Sequence, residues 1–236
     1  MNVGIPVEVW QIPIGDAGNA DDSLLDAKER RRAAAFKFEA DRLRFIAAHA
    51  ALRMVLSHAI GIGPRALRLE KDADGKPHLA TSDWRFNLSH SDDLALLAVA
   101  RGIALGVDVE RIRPLKRNAA RDETGQDETL ALAERHYSPR ENQRLRTLSG
   151  ADRDRAFFLC WTRKEAVVKA IGTGIFTDLA RIEAGFEGAG RVGALHLQSL
   201  RLDADWAGQG YVAALAGEPG PHGARMRRYP QDLAAA

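Results

Sequence analysis

Residues 105–110 read Leu-Gly-Val-Asp-Val-Glu, an alternation of apolar and acidic side chains broken only by Gly106. Side chains on a strand point to opposite faces in turn. Leu105, Val107 and Val109 can therefore enter a core while Asp108 and Glu110 share the other face, their Cα atoms about 6.6 Å apart. On an open surface such a pair is screened by water and salt and does nothing. Lining a cleft, it calls for a hard cation such as Mg²⁺, which takes a few carboxylates and completes its shell with phosphate oxygens and water. A third acid comes from the segment Trp-Thr-Arg-Lys-Glu-Ala-Val-Val-Lys at 161–169, where Phe157, Trp161, Glu165 and Lys169 recur every four residues on one helix face. Taken alone, Glu165 and Lys169 make a solvated pair worth about 0.2–0.5 kcal/mol. Together with the two strand acids, Glu165 completes a sparse site suited to Mg²⁺ and a phosphate-bearing ligand.

Phosphate binders are then required, and the first half of the chain offers them. Lys76 lies in the turn Asp74-Gly75-Lys76-Pro77, where glycine permits the bend and proline stiffens it. Asn87, Ser89 and His90 end an apolar strand in Phe-Asn-Leu-Ser-His-Ser, and Arg44 falls on a helix. Each has an ordinary alternative as a surface lysine, a turn-capping histidine or a solvated arginine.

The elements that must position these groups follow from hydrophobic spacing. Between 33 and 57, Phe38, Phe45, Ala48, Leu52, Val55 and Leu56 recur at helical intervals, and Gly61, Gly63 and Pro64 stop the run. A second helix is expected over 152–171, with Cys160, Val167 and Ile171 on its core side and Gly172-Thr173-Gly174 behind it. Strands are expected at 7–14, 66–70, 84–88, 94–100, 105–110, 180–186 and 211–216, with a hairpin over 194–202 and a frayed tail beyond Gly217. Helix, glycine stop, strand and late alanine-rich strand occur twice in the same order, which reads as a degenerate duplication of an α+β unit. The expected division is 1–114, a polar segment at 115–135, and 136–236.

Composition removes several classes. Across 236 residues, 34 Lys and Arg face 32 Asp and Glu, for a formal net charge of +2, which argues against a duplex DNA binder and requires any anion site to be local. With 45% hydrophobic and 28% charged residues, a folded core is affordable. Cys160 is the one cysteine, so no internal disulfide is possible and a reducing, cytoplasmic setting is expected. No signal peptide or membrane span is read. A hydrolase built on Ser89, His90 and Asp108 fits poorly, since Ser89 and His90 are neighbours and no G-x-S-x-G elbow is present.

In this order, the segments FNLSHS, LGVDVE and WTRKEAVVKAIGTG resemble the signature motifs of the Sfp-type 4′-phosphopantetheinyl transferases. The likeness runs from residue 28 to about 176. It implies an α+β fold of two similar α/β subdomains in a pseudo-twofold arrangement within a monomer. It implies transfer of 4′-phosphopantetheine from coenzyme A to a serine of an apo acyl or peptidyl carrier protein, releasing adenosine 3′,5′-bisphosphate. By the same likeness Asp108, Glu110 and Glu165 would hold Mg²⁺ or Mn²⁺. Lys76, Ser89, His90, Lys169 and Arg44 would meet the phosphates of coenzyme A, with His90 beside the 3′-phosphate and Gly75, Pro77 and Asn87 shaping the pocket. Lys28, Arg31, Arg32 and Lys37 are further candidates for the 3′-phosphate. Glu165 would serve as general base and Lys169 would assist the leaving side. Arg111, Arg113, Lys116 and Arg117 are expected to attract an acidic carrier. The competing reaction is Mg²⁺-dependent hydrolysis of the pyrophosphate of coenzyme A or a nucleotide.

Overall fold

The computed structural model describes residues 7–15, 21–115, 128–173, 177–218 and 223–234. In the first half, strand β1 (Glu8–Pro13) leads to helices α1 (Ala27–Ala34) and α2 (Glu39–Ile60). A hairpin of β2 (Leu69–Lys71) and β3 (Pro77–Leu79) follows, then β4 (Trp84–Ser91) and β5 (Leu94–Arg101). The second half opens with β6 (Ala104–Arg111) and continues through α3 (Glu128–His136), α4 (Pro139–Arg146) and α5 (Gly150–Ile171). It closes with β7 (Ala189–Val192), β8 (Leu195–Ser199), α6 (Ala204–Gly208), β9 (Tyr211–Glu218), β10 (Arg225–Arg228) and α7 (Gln231–Ala234).

Two four-stranded sheets result, ordered β10-β1-β5-β4 and β6-β9-β8-β7. The triplets β1-β5-β4 and β6-β9-β8 are both antiparallel throughout. Alternation then sorts the core. Val9, Leu94, Leu96, Val107, Val109 and Leu215 fill one apolar cluster shared by the two sheets, while Trp10, Ile12, Leu97 and Val99 meet α2, and Leu197, Ala214 and Ala216 meet α5. Helix α2 is long and apolar enough to cross a bilayer by length and composition, but half of that stretch is buried in this fold.

The duplication is visible beyond strand order. Helices α2 and α5 are both 22 residues long and both end on a left-handed glycine, Gly61 and Gly172. Each follows a short helix opened by a capping box whose acidic member, Glu29 or Glu141, is buried. Each acid pairs with a buried cation on the long helix, Arg53 with Glu29 at 2.7 Å and Lys164 with Glu141 at 2.7 Å.

Four expectations need correction. The helical pattern from Ala33 is two helices, because Phe38 adopts an extended backbone and starts α2 afresh. The stretch 180–186 is no strand: a 3-10 turn spans Leu179–Arg181, and Lys164 and Glu141 take up its main-chain groups from the side. The tail is not frayed where described, since β10 adds in parallel to β1 with Met226 packed on the core and Arg227 3.1 Å from Glu8. Ile171 is not core; it ends α5 at 52% exposure. In addition, α3 forms inside the expected polar segment, and β6 belongs to the second sheet, where it pairs with β9.

Candidate active site

The free edges of the two sheets, β4 and β6, run side by side. Alternate residues of β4 bridge them. Asn87 Oδ1 accepts from the Val107 N–H at 2.8 Å, Ser89 Oγ donates to Asp108 Oδ1 at 2.7 Å, and Ser91 Oγ donates to Glu110 Oε2 at 2.8 Å while accepting the Arg111 N–H at 3.1 Å. The FNLSHS and LGVDVE segments are thus one structural unit, the seam between the halves. Gly106 lets α5 lie flush on β6: a Cβ there would stand 2.2 Å from Ala166 O and 2.4 Å from Ala170 N, both backbone atoms that cannot yield separately.

That close approach delivers Lys169 to Asp108. Its Nζ lies 2.6 Å from Asp108 Oδ1 and donates to Ser89 Oγ at 3.0 Å. Asp108 is 4% exposed, and its second oxygen, Oδ2, is buried with no hydrogen-bond partner among the described residues. Burial pushes the Asp108 carboxyl above its usual range, more than Lys169 and Ser89 pull it down. Burial and then the Asp108 charge raise Glu110, and burial and then Asp108 also raise Glu165. The three acids therefore share one field with Lys169. Among the described residues no group of three or more His, Cys, Asp and Glu side chains has the closeness of a ready-made ligand cluster.

Over the seam opens a cavity of about 510 Å³, lined by Lys76, Asn87, Glu165 and Lys169 together with Gly75 and Pro77. Gly75 adopts φ +85°, and Asp72 Oδ1 accepts the N–H groups of Asp74 and Lys76 to hold the turn. Lys76 does not take the ordinary alternative of a surface lysine. Its Nζ donates to Leu105 O and Ala170 O, both at 3.1 Å, so it ties the hairpin to β6 and to the end of α5, and burial lowers its pKa. One of its three N–H donors remains uncommitted among the described residues.

Beside the seam the charge is positive. Burial first, then His49, Lys169, Arg32 and Arg44, hold the His90 imidazole below its ordinary pKa, although His90 keeps contact with solvent. An anion bound there would reverse that shift. Arg44 does not line the cavity; it is anchored to Asp93 at 2.7 Å. Arg111 pairs with Asp92 at 3.4 Å and Arg113 lies over Phe158, while Lys116 and Arg117 fall outside the described residues.

The structure also adds residues that spacing did not single out. Ser91 was legible in principle, since it lies two positions beyond Ser89 and so on the same strand face. His136, Thr177 and Leu179 line the cavity from segments with no periodic signal.

Comparison with known proteins follows the same division of the chain. A family model described as the 4′-phosphopantetheinyl transferase superfamily matches residues 104–216, and one described as 4′-phosphopantetheinyl transferase, N-terminal, matches residues 10–101. The 4′-phosphopantetheinyl transferase HetI of Nostoc sp. is 36% identical over 176 residues, covering 72% of this chain and 70% of that protein. A phosphopantetheinyl transferase of Thraustochytrium sp. is 30% identical over 209 residues, 83% of this chain and 71% of the relative. The human L-aminoadipate-semialdehyde dehydrogenase-phosphopantetheinyl transferase is 26% identical over 166 residues, 67% and 52% of the two chains.

Proposed function

Because this chain belongs to the 4′-phosphopantetheinyl transferase superfamily, we propose that it moves the phosphopantetheine of coenzyme A onto a serine of an apo acyl or peptidyl carrier protein, with Mg²⁺ or Mn²⁺ as its metal. The observation that supports this reading most is Asp108: a buried carboxylate with one oxygen unpartnered, 2.6 Å from Lys169, which lines the cavity together with Glu165. Three hard-oxygen acids share the field of Lys169, with Arg113 also acting on Glu110, and a set of carboxylate oxygens fits a hard divalent cation better than a soft one. Asp108, Glu110 and Glu165 would hold that cation, and bound there it offsets charge growing on the phosphate that departs.

The chain's own residues supply the remainder. Lys169 and the free donor of Lys76 attract the pyrophosphate, and the cations around His90 suit the 3′-phosphate. These charges favour the departing bisphosphate, whose negative charge is greatest as the bond breaks. By the family resemblance Glu165 would take the proton of the incoming serine and Lys169 would assist the leaving side. The nucleophile arrives on the carrier, so no serine of this chain needs activation.

Incubation with coenzyme A, Mg²⁺ and an apo carrier protein is expected to raise the carrier's mass by one phosphopantetheine. Release of bisphosphate with no carrier present would instead make the protein a pyrophosphate hydrolase. A binding test is independent of turnover: Mg²⁺ or Mn²⁺ alone is expected to raise the thermal midpoint by relieving repulsion among the three acids, with reversal by chelator. A midpoint indifferent to millimolar cation would remove the metal from this site.

A further inference from the structure

We propose that Ser91 helps determine which cation the site accepts, by holding one oxygen of Glu110 and leaving only the other free, an assignment that rests on the metal reading given above. Strand β4 supplies no acid to the site, yet its hydroxyls reach both acids of β6. Ser91 Oγ lies 2.8 Å from Glu110 Oε2, and Ser89 Oγ lies 2.7 Å from Asp108 Oδ1. Both serines are 7% exposed, so water does not compete for these contacts. The arrangement repeats because Ser89 and Ser91, like Asp108 and Glu110, stand two apart on a strand.

The second partner of each serine fixes the direction of its hydrogen bond. A serine hydroxyl carries one hydrogen. The Arg111 N–H donates to Ser91 Oγ at 3.1 Å, and Lys169 Nζ donates to Ser89 Oγ at 3.0 Å. An amide N–H and an ammonium accept nothing, so each serine sends its hydrogen to its carboxylate. Asp108 Oδ1 takes a further donor from Lys169 at 2.6 Å. What remains of the two strand acids is one oxygen each. Asp108 Oδ2 is buried without a partner, and Glu110 Oε1 accepts no hydrogen bond among the described residues. Asn87 keeps the strands in this register, its Oδ1 accepting the Val107 N–H at 2.8 Å. Glu165 carries no such clamp among the described residues, which leaves it free to take the serine proton.

One available oxygen per acid favours a small ion over a large one. Mg²⁺ demands near-octahedral order, and Mn²⁺ prefers the same geometry. Ca²⁺ takes more oxygens at longer distance and often engages both oxygens of one carboxylate. Glu110 can offer both only by giving up the Ser91 hydroxyl, and Asp108 only by giving up Ser89 and Lys169. Removing the Ser91 hydroxyl therefore helps Ca²⁺ and harms Mg²⁺: it releases Oε2 and at the same time unpins the carboxylate. A serine that merely joined the two sheets would, when lost, weaken every cation alike.

The test is calorimetric titration of Mg²⁺, Mn²⁺ and Ca²⁺ into the protein with coenzyme A bound and no carrier present. In Ser91→Ala the Mg²⁺ and Mn²⁺ affinities are expected to fall about tenfold while the Ca²⁺ affinity holds, moving the preference between them by about the same factor. Ser91→Cys, a weaker donor of nearly the same size, is expected to move it the same way with the seam filled. Ser91→Thr keeps the hydroxyl and is expected to keep the wild-type preference. Equal losses for all three cations overturn the assignment, as does an unchanged preference. Loss of fold in both Ser91→Ala and Ser91→Cys, seen by circular dichroism, assigns the hydroxyl to the seam alone and overturns it too. A wild-type protein that binds no divalent cation overturns the metal reading itself and this role with it.

Discussion

Asp108→Asn is expected to slow carrier loading by about a thousandfold or more while leaving the thermal midpoint unchanged or raised. The two effects have one cause. Burial pushes the Asp108 carboxyl above its usual range even with Lys169 at 2.6 Å and Ser89 at 2.7 Å, so ionising that group costs the fold stability. An amide of the same shape removes the desolvated charge and keeps an oxygen for Ser89. Lys169 is 27% exposed and can turn to water when its partner is lost. What disappears is the anion with the unpartnered Oδ2, which the native state retains at a cost in stability. Denaturation monitored by circular dichroism, beside carrier mass, separates the outcomes. A variant that loads carrier at the wild-type rate, or one that unfolds, would show that Asp108 serves the fold and not the reaction.

The parts of this site that were legible in the sequence are those governed by local periodicity. Period two placed Asp108 and Glu110 together on β6, and Asn87 and Ser89 together on β4; period 3.6 placed Glu165 and Lys169 on one side of α5. Their meeting across the halves had no local signature, and it came from the motif resemblance. Reach was illegible. Lys169 is drawn from its expected partner Glu165 onto Asp108, Lys76 is drawn from the turn onto two carbonyls, and Arg44 is drawn to Asp93, because each long cation goes to the nearest unsatisfied oxygen in three dimensions. The tail follows the same rule: Arg-Met-Arg-Arg looks too charged for a strand, yet β10 needs only main-chain pairing with β1 and a half-buried Met226 on the core. His136 follows a stretch whose polarity hides the helix that carries it.

Glu141→Ala is expected to cost about 3–5 kcal/mol, lowering the thermal midpoint by on the order of 10 °C. Its partner Lys164 is fully buried, Glu141 is 2% exposed, and removing the acid strands an ammonium in the core. Burial alone would raise the Glu141 carboxyl, but Lys164 and the N–H groups of Ser138 and Gly185 outweigh it and hold it below the usual carboxylate range. A depressed carboxyl stabilises the native state above its unfolded pKa, and that contribution is lost as pH falls through the folded value, so the gap between wild type and variant should narrow in acid. The pair is also more than an ion pair. Glu141 accepts the N–H groups of Ser138, Ala184 and Gly185, and Lys164 donates to Leu179 O and Ile182 O. Buried ion pairs can often be exchanged for apolar residues without loss, but here the exchange would orphan four main-chain groups of the 179–185 segment, which lacks a strand ladder, and the Ser138 N–H at the start of α4. Glu141→Leu combined with Lys164→Met is therefore expected to remain several kcal/mol less stable than wild type in urea. A double variant as stable as wild type would show that the 179–185 segment finds its hydrogen bonds elsewhere. Because Leu179 lines the cavity, Glu141→Ala should also bind coenzyme A more weakly, linking this buried pair to the wall of the site.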